Sequence, residues 1–403
     1  MRACRPRPRR LPPIGFSLSF SLSVAACGGR EEPAPLPPVT AAERATFGPI
    51  SGPRHVETSA SFDLVATAEG AVLVFAAPQG EGGGLRALPL DARGASRGAE
   101  LPVVARDASG PPLPIAEVVA ASSGGKLGIA WIAHETPTQT TILATHGGAD
   151  AQAFAPATSF GPSVVLPRGG RGRLALAAGE DGVLTLSHRR DEGPCEAQSG
   201  TCARYRHRRL GRPEAASRGT DGNEVKVPCE PLLPGSVWSA GVWFQGVCSA
   251  LDGARGHVFA IREQPSYAAV YDGPAGCTPV GVVALPDGAA AVARCAEGLQ
   301  IARLGSDGRA TQTATRATLS APCEGGRAQL RATGDGVTIA LPLQGPQSGV
   351  EALLPATLAR PGARAAWTGE ALLVAEPVGR DVFLRRYACR PGLSELARDD
   401  DGA

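Results

Sequence analysis

The residues able to do chemistry are few and scattered along the chain. The six histidines are His55, His134, His146, His188, His207 and His257. None falls in a His-Glu-x-x-His or comparable spacing that would converge ligands on one metal. His188 and His207 could meet across a hairpin, but a satisfied structural histidine is the simpler reading. Neither a Gly-x-Ser-x-Gly nucleophile turn nor a phosphate-cradling Gly-x-x-x-x-Gly-Lys loop occurs. The acids Asp63, Glu180, Asp221 and Asp252 stand alone and read as solvated turn carboxylates unless folding gathers them at one mouth. Arg204-Tyr205-Arg206-His207-Arg208-Arg209 is the most unusual run. It reads first as a strand with a solvated arginine face. In functional terms, Arg204, Arg206, Arg208 and Arg209 are a candidate anion-binding patch for glycans, lipid headgroups or an acidic partner.

The N-terminal stretch carries chemistry of another kind. Arg2, Arg5, Arg7, Arg9 and Arg10 precede an uncharged run from Phe16 to Ala26. That run is shorter than the roughly 20 residues a spanning helix needs and fits a secretory leader. Val24-Ala25-Ala26-Cys27 closes it. The arrangement resembles the lipobox of bacterial lipoproteins. The resemblance implies a signal peptide over 1–26, a lipidated Cys27 as the mature N-terminus, and membrane lipid as a partner. One acyl chain binds marginally, at about 0.8 kcal/mol per buried methylene; the two or three chains implied here make a lasting anchor. Gly28 stands where an Asp would favour inner-membrane retention, so the expected address is the cell envelope, outer membrane rather than inner. Residues 27–43, rich in Pro, Gly and Glu, read as a tether. The acidic tail 396–403 reads as solvated and disordered.

Basic and acidic residues nearly balance, 40 against 38. A chain that tracks phosphates normally shows a basic excess, so nucleic acid is disfavoured. Of the basic residues only Lys126 and Lys226 are lysines, which reflects codon usage more simply than arginine-specific function.

Between tether and tail, helical periodicity is nearly absent. Short apolar runs alternate with Gly, Asp and Pro, the mark of many short strands. One unit recurs: an apolar run, a turn ending in glycine, then a stronger apolar run. Its glycines are Gly70, Gly125, Gly182, Gly241, Gly288, Gly336 and Gly369. A third strand follows in most units, for example Leu85 to Leu90 and Leu299 to Leu304, and then a weaker fourth. This looks like an all-β propeller over 44–395, with seven four-stranded blades favoured and six or eight blades, or two β-sandwiches, as alternatives. The last unit stops after its third strand. Arg44 to Ile50 is the candidate to supply its missing strand and close the ring, which would remove open sheet edges. The expected state is a monomer. Trp131, Trp238, Trp243 and Trp367 read as core rather than as a stacking platform for sugars.

The repeat also orders the cysteines that follow the tether: Cys195, Cys202, Cys229, Cys248, Cys277, Cys295, Cys323 and Cys389. Without a Cys-x-x-Cys pair, zinc is disfavoured, and in an exported chain disulfides are expected. Cys248 and Cys295 each lie seven residues after their hairpin glycines, with Cys229 and Cys277 at matching places before them. The spacing therefore predicts Cys229–Cys248 and Cys277–Cys295 as equivalent bridges, with Cys195–Cys202 stapling an insertion. Cys323–Cys389 remains by elimination. No metal or cofactor is expected. Two functions stay open: a non-catalytic module that binds an envelope protein or a glycan, and a propeller hydrolase or lyase acting on polysaccharide. Binding is favoured because no motif supplies an acid, base or nucleophile. Two or more buried carboxylates or histidines in a central pocket would reverse that preference.

Overall fold

The computed structural model describes residues 45–49, 54–57, 61–77, 84–103, 114–136, 139–151, 153–163, 174–178, 184–194, 201–210, 225–227, 229–232, 237–239, 242–250, 256–261, 267–272, 276–324, 327–354, 362–379 and 381–389. All belong to the unit Ala41–Ala403. The leader, Cys27, the tether and the acidic tail lie outside the described residues, as do Glu180, Cys195, Asp221 and Asp252.

The described chain is a succession of antiparallel sheets. It begins with β1 (Ala45–Pro49) and β2 (Arg54–Glu57). The first sheet holds β3 (Phe62–Thr67), β4 (Gly70–Ala77), β5 (Gly84–Leu90) and β6 (Leu101–Val103); the second holds β7 (Ile115–Ser123), β8 (Lys126–Thr136), β9 (Gln139–Gly148) and β10 (Thr158–Ser163). The third is formed by β11 (Leu174–Ala178), β12 (Leu184–Pro194), β13 (Thr201–Leu210) and β14 (Val225–Val227). In the fourth, β15 (Cys229–Leu232) and β16 (Val237–Ser239) both pair with β17 (Val242–Ala250), followed by β18 (Gly256–Ile261) and β19 (Tyr267–Asp272). The next four strands, β20 (Thr278–Leu285), β21 (Gly288–Cys295), β22 (Gly298–Gly305) and β23 (Ala310–Ser320), pair in order. After them come β24 (Pro322–Glu324) and the hairpin of β25 (Arg327–Gly334) with β26 (Val337–Pro342). The last sheet runs β27 (Gln347–Ser348), β28 (Arg364–Trp367), β29 (Ala371–Val378) and β30 (Asp381–Cys389).

Period-two alternation decides which neighbour each side chain meets. On β4, Leu73 and Phe75 pack toward Leu373 and Leu384 of the last sheet, whereas Val72 and Val74 pack toward Ile129 and Trp131 of the second. On β8, Ile129 and Trp131 face the first sheet, and Ala130 and Ile132 face Leu174 and Leu176 of the third. A strand covered on both faces must be apolar throughout, which is why β4 is buried along its whole length. The first sheet thus packs on the last. The innermost strands touch in the closed order β3, β7, β11, β16, β20, the 3₁₀ turn Val350–Leu353, β28 and back to β3. The domain is a propeller-like all-β domain.

Closure uses the expected strand. Phe47, Gly48 and Pro49 of β1 pair with Cys389, Ala388 and Tyr387 of β30, and β2 pairs further along the same strand. The unit at Gly336 departs from the expected four strands. It is a hairpin whose β25 pairs with the far end of the long β23, and it packs between β20–β23 and the last sheet.

Glycine is required where the third strand ends against a hairpin. Gly70 has φ +141°, and a Cβ there would collide with the backbone oxygen of Leu90. Cys277 and Cys295 are joined by a disulfide across the β20–β21 hairpin, Cα atoms 4.2 Å apart. Elsewhere only backbone register bears on the cysteines. Cys229 lies opposite Ala250, two residues from Cys248 on β17. Cys202 lies opposite Gly193. Cys323 and Cys389 lie opposite Ala45 and Phe47 of β1.

Candidate functional site

The inner strands line an open cavity of about 250 Å³. It is lined by β3, β7, β11, the end of β20, residues 346–349, Glu351 and Arg364. An innermost strand is a sheet edge, and its backbone N–H groups need partners from outside the sheet. Side chains of the adjoining sheets meet that need. Asp63 Oδ2 accepts from Ala120 N–H at 2.7 Å, and Glu117 Oε1 accepts from Leu174 N–H at 3.4 Å, each bond spanning 57 residues. Ser348 Oγ accepts from Ala66 N–H at 2.6 Å. The same step recurs because neighbouring sheets repeat the same construction.

Arg364 lies at the meeting point of first and last sheets. Its Nε is 3.3 Å from Asp63 Oδ1, and its Nη1 is 3.9 Å from Glu351 Oε1. Nη1 also donates to Ala363 O at 3.2 Å. These three side chains keep only 14–15% of their surface. Asp63 Oδ1 accepts from Leu64 N–H and Glu351 Oε2 from Ala365 N–H. Desolvation raises the Glu351 carboxyl above its usual value; Arg364 and the backbone N–H groups oppose the rise, and Asp63 adds to it. Gln347 Nε2 donates to Ala284 O at 3.5 Å from the other side of the lining.

Asp63 is therefore not a solvated turn carboxylate. It lies on β3, the innermost strand of its sheet, where it lines the cavity and reaches Ala120 of the second sheet. Sequence reasoning missed Arg364, Glu351 and Gln347. They sit in no motif, and only ring closure brings them to Asp63. Two mostly buried carboxyls do converge in the central cavity, the arrangement set out above as favouring an enzyme. Both oxygens of Asp63 and Oε2 of Glu351, however, are engaged by backbone N–H groups, while Glu351 Oε1 lies 3.9 Å from Arg364 Nη1.

The remaining candidates lie away from this cavity. His188 is buried on β12, its backbone opposite Arg206, while His207 is opposite Ser187, so the two histidines are one residue out of register. Arg208 lies opposite Leu186 and Arg209 opposite Thr185 on β12; Arg204 lies between Asp191 and Lys226 on the flanking strands. The side chains of this arginine run lie outside the described residues. Trp131 and Trp367 are core, 0% and 4% exposed, and the backbones of Trp238 and Trp243 pair directly. Among the described residues no group of three His, Cys, Asp or Glu side chains could hold a metal. Among those residues, too, no helix is long and apolar enough to cross a membrane.

No family model and no curated protein matches the chain. Solved structures similar to it include the PQQ-bound aldose sugar dehydrogenase of Streptomyces coelicolor, at 12% identity and TM-score 0.44, covering 85% of this chain and 98% of that one. Another is a mutant form of the Aleuria aurantia lectin in complex with α-methyl-L-fucoside, at 10% identity and TM-score 0.37, covering 83% and 96%. A Hadza microbial sialidase matches at 13% and 0.35, covering 76% and 73%. These are propeller-type proteins.

Proposed function

We propose that the protein is an exported binding protein of the cell envelope, anchored through a lipidated Cys27 in the outer membrane, whose central cavity captures a glycan or an envelope protein without catalysis. The observation that carries this reading is the fixed state of the cavity's charged groups. A general acid or base must bring an oxygen within reach of the proton it exchanges. Both oxygens of Asp63 and Oε2 of Glu351 are instead tied to backbone N–H groups of inner strands. Such groups hold a rigid polar wall, which suits recognition. A hydrolase is the second reading. It is favoured by Glu351, whose raised carboxyl and less engaged Oε1 are what a general acid needs.

The deciding experiment incubates the full chain with glycans released from envelope preparations. Retention of glycan with no new reducing ends is the expected result. New reducing ends that disappear in Glu351→Gln would establish the hydrolase instead. The anchor is tested by palmitate labelling in cells, with label expected on the natural chain and lost from Cys27→Ser; equal labelling of both would refute it.

A further inference from the structure

We infer that the cavity takes its ligand as an added strand: a short extended peptide, carried as a branch on the envelope glycan, pairs with the inner edge of β7. This rests on the cavity being the binding site argued above. Among the described strands β7 has β8 on one side and none on the other. In an antiparallel pair, successive residues turn their N–H and C=O groups alternately toward the partner strand and away from it. Ser123 and Lys126 flank the two-residue turn Gly124-Gly125 and pair with each other, so Ser122 and Ala120 turn away from β8. The bond from Ala120 N–H to Asp63 shows the same parity. Among the described residues no partner is found for Ser122 N–H, Ser122 C=O or Ala120 C=O. On β3 the outward N–H groups are used, Leu64 by Asp63 and Ala66 by Ser348. Exposure divides the same way. Residues 119–123 of β7 are half-buried and line the cavity, whereas residues 64–66 of β3 and 174–176 of β11 line it but are buried.

Ser122 therefore offers a donor and an acceptor on one side. A residue within a peptide answers with its own C=O and N–H, also on one side, and forms the reciprocal pair of a ladder. A lone acetamido group does not, because its planar trans amide points N–H and C=O in opposite directions. Sugar hydroxyls can meet Ser122, but only a chain with the strand repeat also reaches Ala120 C=O, two residues or roughly 7 Å along. The paired stretch is short. Asp63 already holds Ala120 N–H, so the ladder stops there, and β7 ends at the Gly124-Gly125 turn. Two or three residues fill it, which suits a peptide branch and not a strand of a folded partner. The glycan retention expected above then depends on that branch.

The test is calorimetric titration of the full chain with acetyl-trialanine amide, acetyl-trivaline amide and acetyl-triserine amide, beside glucose and N-acetylglucosamine. At least one peptide should bind saturably and displace retained envelope glycan; neither sugar should. N-methylation scanned along that peptide should weaken it about tenfold at alternate residues only, the loss of one hydrogen bond, because every second N–H faces β7. On the protein, Ser122→Pro removes the edge N–H, at a place where an edge strand tolerates proline. It should weaken the peptide about tenfold or more, and Ser122→Ala should stay within about twofold. Near-UV circular dichroism checks folding; if Ser122→Pro fails that check, the N-methyl scan carries the test. Peptide binding that a folded Ser122→Pro leaves intact, or an N-methyl scan without alternation, overturns strand addition. So does failure of all three peptides to bind; glycan capture that a folded Arg364→Met still abolishes would then leave the cavity as the site. Glycan capture that neither Arg364→Met nor Ser122→Pro changes overturns both the added strand and the cavity.

Discussion

Replacing Asp63 with alanine removes one side chain that serves two sheets. Ala120 N–H on the second sheet loses the acceptor it meets at 2.7 Å. A buried donor left unsatisfied costs about 1–3 kcal/mol. Arg364 loses its nearer carboxylate, at 3.3 Å. Breaking a fully buried pair costs about 3–5 kcal/mol. Here both side chains keep some 15% of their surface and Glu351 remains beside the guanidinium, so about 1 kcal/mol is the fitting share. The expected total is about 2–4 kcal/mol, read as the loss of unfolding free energy in urea titrations of the full chain. Asp63→Asn keeps a carbonyl oxygen for Ala120 N–H but puts an NH2 donor where Oδ1 accepts from Leu64 N–H and faces Arg364 Nε, so it should cost about 1–2 kcal/mol, less than Asp63→Ala. A loss below about 1 kcal/mol for Asp63→Ala would refute the inter-sheet staple. Equal losses for the two variants would mean that Oδ1, with its charge and its contacts to Leu64 N–H and Arg364, does the holding and the bond to Ala120 does not.

Glu351 gives a pH signature. Its folded carboxyl is raised above the ordinary value by burial, so the stability held by its neutral form is full below about pH 4.5 and is lost as pH rises through the folded value. Glu351→Gln cannot ionise; its stability relative to the natural chain should be flat in acid and grow as pH increases, and a gain on acidification instead would contradict the assignment. Removing the hairpin bridge as Cys277→Ser/Cys295→Ser should cost about 2–4 kcal/mol under non-reducing conditions; an unchanged urea midpoint would show that the bridge does not hold the β20–β21 end together.

Much of the architecture follows from local pattern. Gly70, Gly125, Gly288, Gly336 and Gly369 mark hairpins in the sequence and all have positive φ, because a tight turn is a local event that a few residues decide. The return of residues 45–49 to β30 is legible as well, since a unit lacking its fourth strand leaves an edge to be covered. The hairpin at Gly336 is different. Its apolar-turn-apolar signature is the same whether it begins a separate sheet or extends an existing one, and the choice is made by β23, which runs eleven residues and reaches β25 with its last three. The site is less legible still. Asp63, Gln347, Glu351 and Arg364 come from opposite ends of the chain, and period-two alternation does not say which sheet will lie beside which. Only the closed ring gives these four residues a common wall.

The claim that the ring centre is where this protein works is tested most directly by hydrogen exchange of the full chain with and without saturating envelope glycan. Protection confined to β3, β7, β11 and the segment 346–351 is the predicted result, because their amides and side chains form the wall. Protection centred on the arginine run of β13, with those segments unchanged, would move the site to the outer strands and contradict it.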